Sequence, residues 1–320
     1  MKMKTLAALA LAGLCINAGA QAYPDRPVRL VVGFTPGGAA DYVGRNVGEA
    51  LARALGQPVI IENKPGAGSS IAAEYVSKSA PDGYTVLIAS PSSIFVNPAL
   101  DPKRAPGVQS LVPVTKITAS PLVIAANPAI GVNSIGELIA AAKKSPGKLN
   151  FASAGSGSAP HLGGVLFNQM AGTEITHIPY KGGAGSVASV IAGDTQVTFA
   201  TPPSVLPFIK AGRLRGLAVS STERSALVPD LPGMKEAGLP SYRMDFWYGF
   251  FVPAGTPPEI VRKLYDASAA AVRRPEVKTA LEREATEVSL SASPAEFAAF
   301  LKEDGKFWAK LARDSGAKIE

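Results

Sequence analysis

The sequence predicts an α/β fold in two lobes, each a mainly parallel sheet flanked by helices. Short β-branched runs alternate with longer Ala-rich helical patterns along most of the chain, as in proteins built from βα units. With 47% hydrophobic residues among 320, the chain can form two cores, and this composition excludes intrinsic disorder. The 32 Gly and 27 Pro residues predict many short elements joined by tight turns.

The first series of elements is a strand–helix alternation. We expect strands over 28–34, 59–62 and 84–89 and helices over 42–55 and 69–79. Gly56 ends the first of these helices.

A second series opens with a strand over 122–126 and a helix over 134–144, where Ser134 and Glu137 form a capping-box pattern. It continues with strands over 149–153, 175–180, 196–200 and 214–220 and helices over 161–170, 186–191 and 205–211.

The C-terminal part predicts one strand followed by three helices. The strand covers 247–252, and the helices cover 258–272, 275–284 and 294–312, each with proline at or near its first turn. Because these helices have no partner strands of their own, we expect them to pack on the N-terminal sheet. This assigns residues 23–121 and 245–320 to lobe 1 and residues 122–244 to lobe 2.

Residues 1–22 have the layout of a cleaved secretory signal peptide. Lys2 and Lys4 precede an uncharged run of 12 residues, which is too short to span a bilayer and argues against a retained anchor. Small residues at 18–20 and 20–22 provide cleavage sites, and cleavage removes Cys15, the only cysteine. The predicted location is the periplasm.

The composition limits the chemistry that the chain can perform. With two His and one Cys, a structural zinc site, an iron–sulfur cluster or a disulfide framework has too few ligands, so we expect no metal. The formal net charge is +7, but the basic residues are scattered along the chain. A small anionic ligand fits this distribution better than nucleic acid does.

Four glycine-rich stretches stand between a predicted strand and a predicted helix, over 36–41, 65–69, 154–158 and 181–186. Backbone N–H groups and the dipole at a helix start favour a carboxylate or phosphate. For any single loop, a tight turn with nothing bound is the alternative. Several such loops at the ends of parallel strands favour a shared ligand cleft between the lobes.

Motifs of the common nucleotide-dependent and hydrolytic enzymes are absent from the sequence. There is no P-loop and no G-x-S-x-G nucleophile elbow. Residues 183–188 fit G-x-G-x-x-A, but no acidic residue ends the next predicted strand. We therefore expect no catalytic residues and no cofactor.

Several side chains have two interpretations. His161 is placed either to donate to a ligand oxygen or to bond a local carbonyl at the start of its helix. Asp41 is expected to cap its helix rather than touch the ligand. Trp247 and Tyr248 either line a pocket or fill the core between the lobes, and His177, within an apolar strand, is expected to be structural.

Eight stretches carry a resemblance to a known family: YPDRPVRLVVGFTPGGAAD, LGQPVIIENKPGAGSSIAA, PDGYTVL, AGSGSAPHL, THIPYKGG, PFIKAGRLRGLAVSS, LPGMKEAGLP and FVPAGTPPEIVRKL. With them the sequence resembles the substrate-binding proteins of tripartite tricarboxylate transporter systems, also called Bug receptors. The resemblance implies a two-lobed, type II-like periplasmic-binding-protein fold. It also implies a cleft that closes on a small organic carboxylate and delivery of that ligand to a membrane transporter.

The resemblance implies that the first Pro-Gly-Gly loop holds one carboxylate, with loops after a later strand of each lobe contributing. The residues that we assign to the ligand site are Phe34, Thr35, Pro36, Gly37, Gly38, Ala39, Asp41, Ser90, Ser92, Ser93, Ser153, Ala154, Gly155, Ser156, Ser158, His161, Tyr180, Thr201 and Trp247. Where the family often has Phe-Asp-Asn, this sequence has Phe199-Ala200-Thr201. The missing carboxylate favours a dicarboxylate or aromatic carboxylate over an amino acid as ligand.

The expected partners are the carboxylate and the subunits of a membrane transporter, and we expect a monomer that is not an enzyme. Closure is expected about crossover segments near Ser120 and Asp245.

Two other functions stay open. One is a secreted hydrolase or lyase that acts on a carboxylate and uses His161 with one of Ser153, Ser156 or Ser158. The other is a receptor that signals to a membrane sensor.

Overall fold

The computed structural model describes residues 23–103 and 105–317, and the predicted signal peptide lies outside these ranges. Within them, no helix is long and apolar enough to cross a membrane. The strands are β1 (Val28–Val32), β2 (Val59–Asn63), β3 (Thr85–Ala89), β4 (Val112–Pro121), β5 (Val123–Ala126), β6 (Asn150–Ser153), β7 (Thr176–Pro179), β8 (Val197–Ala200), β9 (Arg215–Val219), β10 (Asp245–Val252) and β11 (Glu287–Val288).

The helices are α1 (Ala39–Leu55), α2 (Ser70–Ser77), α3 (Asn97–Leu100), α4 (Ala105–Gln109), α5 (Ile135–Lys144), α6 (Ala159–Ala171), α7 (Gly183–Ala192), α8 (Pro202–Lys210), α9 (Pro258–Val272), α10 (Pro275–Arg283) and α11 (Pro294–Asp314). Short 3₁₀ turns cover Ala67–Ser69 and Pro128–Ile130, and Ser92–Val96 forms a π-helical turn.

Six strands form the first sheet, in the order β11-β4-β10-β3-β1-β2. Strand β1 runs parallel to β2 and β3, whereas β10 runs antiparallel to β3 and β4, and β11 runs antiparallel to β4. Helices α9 and α11 pack against β4, and α9 and α10 both contact α1. The C-terminal helices therefore cover the sheet that begins the chain.

Five strands form the second sheet, in the order β7-β6-β8-β5-β9. Strand β6 is parallel to β7 and β8, but β5 is antiparallel to β8 and β9. Both sheets are thus mixed, but four of the six strands in the first sheet and four of the five in the second run in the same direction, so the prediction of mainly parallel sheets is confirmed. The strands that run against the others are β10 and β11 in the first sheet and β5 in the second.

The chain passes between the two sheets at two points. Strand β4 of the first sheet ends at Pro121 and leads directly into β5 of the second, and the chain returns at Asp245, where β10 begins. The Ser220 hydroxyl joins the two passages, because it accepts the Leu122 N–H at 2.7 Å and donates to the Met244 carbonyl at 2.5 Å. A division into lobes that move about these points stays a prediction.

Local signals determine several helix ends. The Ser134 hydroxyl accepts the Glu137 N–H at 3.1 Å, so the serine half of the capping box before α5 is confirmed. The Glu137 carboxylate accepts the N–H of Asn133, one residue before the N-cap, at 2.7 Å. Helix α1 ends at Gly56, whose φ of 70° lies in the left-handed region that a Cβ disfavours.

Candidate functional site

Loops from both sheets enclose two neighbouring cavities. The outer cavity, of about 280 Å³, is lined by Phe34, Gly66, Ala67, Gly68, Ala154, Gly155, Ser156, Pro179, Tyr180 and Lys181. The inner cavity, of about 20 Å³, is lined by Phe34, Gly38, Ala39, Ala40, Ser92, Ala154, Ser158, Ala159, Pro160, Gly183, Thr201, Ser204, Phe246 and Tyr248. Phe34 and Ala154 line both cavities, one from each sheet.

The loops on the two sides touch each other directly. The Ala39 N–H at the start of α1 donates to Ser204 Oγ on α8 at 3.2 Å. The Ala159 N–H at the start of α6 donates to Ser92 Oγ at 3.0 Å. A Cβ on Gly182 would lie 2.4 Å from Thr35 Oγ1, so any larger residue there would force Thr35 to move. The two sides are therefore closed against each other in this structure.

Four helices begin at the inner cavity, and three of them lack a side-chain cap. The N-cap residues of α1, α7 and α8 are Gly38, Gly182 and Thr201, and none forms a side-chain capping bond. Helix α6 differs, because the Ser158 hydroxyl accepts the His161 N–H at 3.3 Å. At the starts of α1 and α7, backbone N–H groups and the positive end of the helix dipole face the cavity and suit an anion.

Helix α8 contributes differently. It begins with Pro202 and Pro203, which have no N–H, and the Ser204 N–H donates to the Thr201 carbonyl at 3.0 Å. This helix therefore adds only the positive end of its dipole.

The charge around the cavities is also favourable for an anion. Among the residues that line either cavity, Lys181 carries the only charged side chain, and it is exposed at the outer cavity. Within residues 23–103 and 105–317, no cluster of three or more His, Cys, Asp or Glu side chains is placed to hold a metal ion.

Asp41 lies in the first turn of α1 but lines neither cavity. Its carboxylate accepts the Gly37 N–H at 3.0 Å, Arg45 Nε at 2.9 Å and Asn63 Nδ2 at 3.0 Å. Burial acts to raise the pKa of Asp41, but these hydrogen bonds, that from Arg45 above all, hold the pKa below its ordinary value. Asp41 thus shapes the first loop and does not face the cavities. It is the third residue of α1 and not its N-cap, so both the expected capping role and the place of Asp41 among the ligand residues need correction.

The two histidines lie behind the second-sheet loop. The His161 and His177 rings stack with their centroids 3.8 Å apart, and neither ring lines a cavity. His161 Nδ1 accepts the Gly157 N–H at 3.1 Å, so the local partner of His161 is an N–H group and not a carbonyl. Burial lowers the pKa of His161 to about 4, and burial together with His161 lowers the pKa of His177 to about 3.

The predicted serines have different positions. Ser92 and Ser158 line the inner cavity, and Ser156 lines the outer one. Ser93 donates to the Ser90 carbonyl at 3.1 Å, so this buried pair shapes the turn after β3 without lining a cavity. Ser153 is fully buried beneath its loop.

The placement of Trp247 in the ligand site needs correction. Its Nε1 donates to Asp304 Oδ2 at 2.7 Å, and its ring packs against Phe297. The neighbouring side chains, Phe246 and Tyr248, line the inner cavity instead. Successive side chains of a strand point to opposite faces of the sheet, so Trp247 faces α11 while its neighbours face the cleft.

Sequence reasoning did not assign some cavity residues to the site. Gly66–Gly68, Lys181 and Gly183 line the cavities and belong to the glycine-rich stretches, but they are not among the predicted ligand residues. Ser204 lies one turn into α8, with no motif that marks it. Asn97, whose Nδ2 donates to the carbonyls of Ala67 and Gly68 at 3.0 and 2.9 Å, holds one wall of the outer cavity.

The comparison with known proteins identifies the family. Residues 43–316 match the profile of the tripartite tricarboxylate transporter family receptor. The chain belongs to this family. BugT of Bordetella pertussis is 35% identical over 314 residues, which are 98% of this chain and 96% of BugT. The resemblance to Bug receptors is therefore confirmed.

Solved structures of this receptor family share the fold. MatC of Rhodopseudomonas palustris, solved with bound malate, matches with a TM-score of 0.86 and 30% identity, covering 91% of this chain and 100% of MatC. Rpa4515 of R. palustris, solved with adipate, matches with a TM-score of 0.88 and 32% identity, covering 92% and 99%. The expected two-lobed α/β fold is confirmed, and we call each sheet with its helices a lobe below.

Proposed function

We propose that this receptor captures a small dicarboxylate between its lobes in the periplasm and delivers it to a membrane transporter. The observation that carries the proposal is that the uncapped N-termini of α1 and α7, at Gly38 and Gly182, meet in a cleft with no acidic lining residue. The start of α8 adds the positive end of its dipole there. An anion there replaces water as the acceptor for N–H groups that no side chain caps.

Two separate positive regions support a dicarboxylate in particular. The helix N-termini surround the inner cavity, whereas the Lys181 ammonium lies at the outer cavity. The malate and adipate found with MatC and Rpa4515 each carry two carboxylates. Phe34 and Tyr180 also line the outer cavity, so an aromatic acid is the second ligand class that the site suits.

Binding requires movement of the lobes. The inner cavity of about 20 Å³ holds at most about one water molecule, so a carboxylate group cannot enter it in the closed arrangement. The lobes must separate to admit the ligand and then close on it, which excludes water and strengthens each amide–carboxylate hydrogen bond.

The contacts of the serines argue against the hydrolase or lyase alternative. Ser153 Oγ lies 2.6 Å from His177 Nε2, but Ser153 is fully buried and lines neither cavity. Ser158 caps α6, and the described residues show no hydrogen bond between the His161 ring and the Ser156 or Ser158 hydroxyl. A nucleophile needs both access to substrate and a base, and none of these three serines has both.

The test is calorimetric titration of the mature protein with adipate, malate, citrate, phthalate, benzoate and aspartate, with adipamide as an uncharged control. We expect stoichiometric binding of one dicarboxylate class, no binding of adipamide, and recovery of the ligand unaltered by NMR. Binding of adipamide as tightly as adipate would overturn the anion site, and consumption of a compound would favour an enzyme.

Delivery and sensing use the same site and differ in the partner. A transporter receptor is expected to support uptake of radiolabelled ligand in cells, and deletion of its gene should abolish that uptake. If uptake persists while a ligand-dependent transcriptional response is lost, the sensing alternative holds instead.

A further inference from the structure

The chain's two histidines lie against the loop that forms the second-lobe wall of the outer cavity. This loop, residues 155–158, joins β6 to α6 and includes Gly155 and Gly157 at φ of 124° and 75°. Glycine is the residue that adopts such angles without strain, so the loop's own side chains restrict it little. Contacts with residues outside the loop must therefore fix its conformation.

His161 holds the middle of the loop. Its Nδ1 accepts the Gly157 N–H at 3.1 Å, which requires an unprotonated Nδ1 and places the ring proton on Nε2. A second proton on this ring would set an N–H group against the Gly157 N–H and break the bond.

His177 holds the start of the loop through one hydroxyl. Its Nε2 lies 2.6 Å from Ser153 Oγ, and Ser153 Oγ accepts the Gly155 N–H at 3.1 Å. The His177 ring lies 16° from parallel with that of His161, so each ring fixes the position of the other.

The loop has little freedom to shift, because it meets the first lobe closely. A Cβ on Gly68 would lie 2.7 Å from the Ser156 carbonyl oxygen, and a Cβ on Gly157 would lie 2.2 Å from Asn97 Oδ1. A displacement of the loop by less than an ångström therefore changes how well the lobes close.

We propose that His161 and His177 are positioning residues, which hold the 155–158 loop in its ligand-binding shape through their stacked, uncharged rings. The inference rests on the proposed function. Neither ring lines a cavity, so the pair acts through Gly155 and Gly157 and not by touching the ligand.

The surroundings of the two rings make their positioning of the loop sensitive to acid. Phe151 packs against both rings. Among the described residues, burial alone lowers the pKa of His161, and His161 is the titratable group that acts on the pKa of His177. Burial keeps both rings neutral at pH 7, with the pKa of His161 lowered to about 4.

The test compares paired substitutions at each ring. In His161→Asn, the amide oxygen can take the place of Nδ1 as acceptor, whereas His161→Leu removes the acceptor. In His177→Gln, the amide can still bond Ser153, whereas His177→Phe keeps a flat ring without the bond. We expect His161→Leu and His177→Phe to bind adipate about tenfold more weakly, and the amide variants to stay within about threefold of wild type.

Two readouts separate positioning from a general loss of structure. Hydrogen exchange at Gly155 and Gly157 should be at least about tenfold faster in His161→Leu, with exchange in the first-lobe strands unchanged. Between pH 7 and pH 4, the affinity for adipate should fall less in His161→Asn than in the wild-type protein. Adipate itself is protonated equally in both measurements, so its own titration does not affect this comparison. Unchanged exchange and affinity in His161→Leu would overturn the proposal.

Ser153→Ala is the second variant if the histidine variants do not fold. It removes the hydroxyl that bonds both His177 and the Gly155 N–H, with a smaller change in volume, and faster exchange at Gly155 is expected. If the wild-type protein binds none of the acids, the proposed function fails, yet the exchange measurements need no ligand and still decide the positioning role.

Discussion

The Ala39 N–H of the first lobe donates to Ser204 Oγ of the second lobe at 3.2 Å. This contact lies at the inner cavity and joins the uncapped start of α1 to the first turns of α8. It forms only when the lobes are closed, so it contributes to the free energy of closure and not to the folding of either lobe.

Replacement of Ser204 by Ala should therefore weaken ligand binding without affecting stability. One neutral hydrogen bond contributes about 1 kcal/mol, which corresponds to roughly a fivefold weaker Kd. Calorimetry and thermal unfolding check this. Ser221→Ala is the control, because that hydroxyl donates only to the Glu223 carbonyl, away from both cavities. An equal effect of the two substitutions would contradict the assignment.

Gly37 and Gly56 flank the same helix, and both have positive φ angles, 81° and 70°. Replacement of either by Ala forces a Cβ into the left-handed region, which costs about 1–2 kcal/mol of stability in each case. Only Gly37→Ala should also weaken ligand binding, because only its loop reaches the inner cavity. Urea unfolding and calorimetry together check this, and wild-type affinity in a folded Gly37→Ala protein would refute the role of the first loop.

Lys181 should distinguish acids with two carboxylates from acids with one. Lys181→Gln is expected to weaken adipate binding by about 1 kcal/mol and to leave hexanoate nearly unaffected, because an exposed charge contributes modestly. The difference should shrink at high salt. Lys148→Gln, an exposed lysine of the same lobe outside both cavities, is the matched control. Equal losses for adipate and hexanoate would contradict the prediction.

Stability should fall in acid because of the two histidines. Their pKa values are lowered to about 4 and about 3 in the folded protein, below the ordinary value near 6.5. The unfolded chain therefore binds more protons below about pH 6.5, and the free energy of unfolding decreases as the pH falls from there towards 4. For His161 the loss is roughly 3 kcal/mol at most.

Urea unfolding at pH 7, 5.5 and 4.5 measures this effect, and the double variant His161→Asn/His177→Gln should show a flatter profile. A wild-type free energy of unfolding that is constant between pH 7 and pH 4.5 would rule out buried neutral histidines.

Trp247→Phe should destabilise the protein and leave ligand affinity unchanged. The substitution removes the donor that Asp304 Oδ2 accepts at 2.7 Å, and Asp304 is buried enough that desolvation raises its pKa. We expect a loss of about 1–3 kcal/mol, measured by urea unfolding. Tyr248→Phe is the comparison, since Tyr248 lines the inner cavity. Weaker ligand binding by Trp247→Phe would contradict this prediction and show that Trp247 belongs to the ligand site.

The parts of the fold that the sequence predicts are those set by local patterns. The βα units and the Ser134 cap of α5 follow from periodicity and short-range hydrogen bonds. Strand β4 was not predicted, because proline stands near both of its ends and its partner β10 lies far along the chain. The direction of a strand relative to such a partner has no local signal.

The same limit applies to the candidate site. Glycine-rich loops could be read from the sequence, but the contact of Thr35 with Gly182 and of Asn97 with Gly68 depends on how the lobes meet. Alternation along β10 places Trp247 and Tyr248 on opposite faces, yet nothing in the sequence says which face meets the cleft.

The position of β10 in the first sheet has a consequence for the order of folding during synthesis. All five strands of the second sheet are contiguous in the chain, so this lobe can fold as soon as it is made. The first sheet stays divided, with β3 and β4 apart, until the segment Asp245–Val252 emerges and inserts between them. Non-local pairing of this kind slows folding, so the N-terminal lobe completes last. Under the periplasmic location proposed above, this delay would favour export, because an unfinished sheet keeps the chain unfolded for longer.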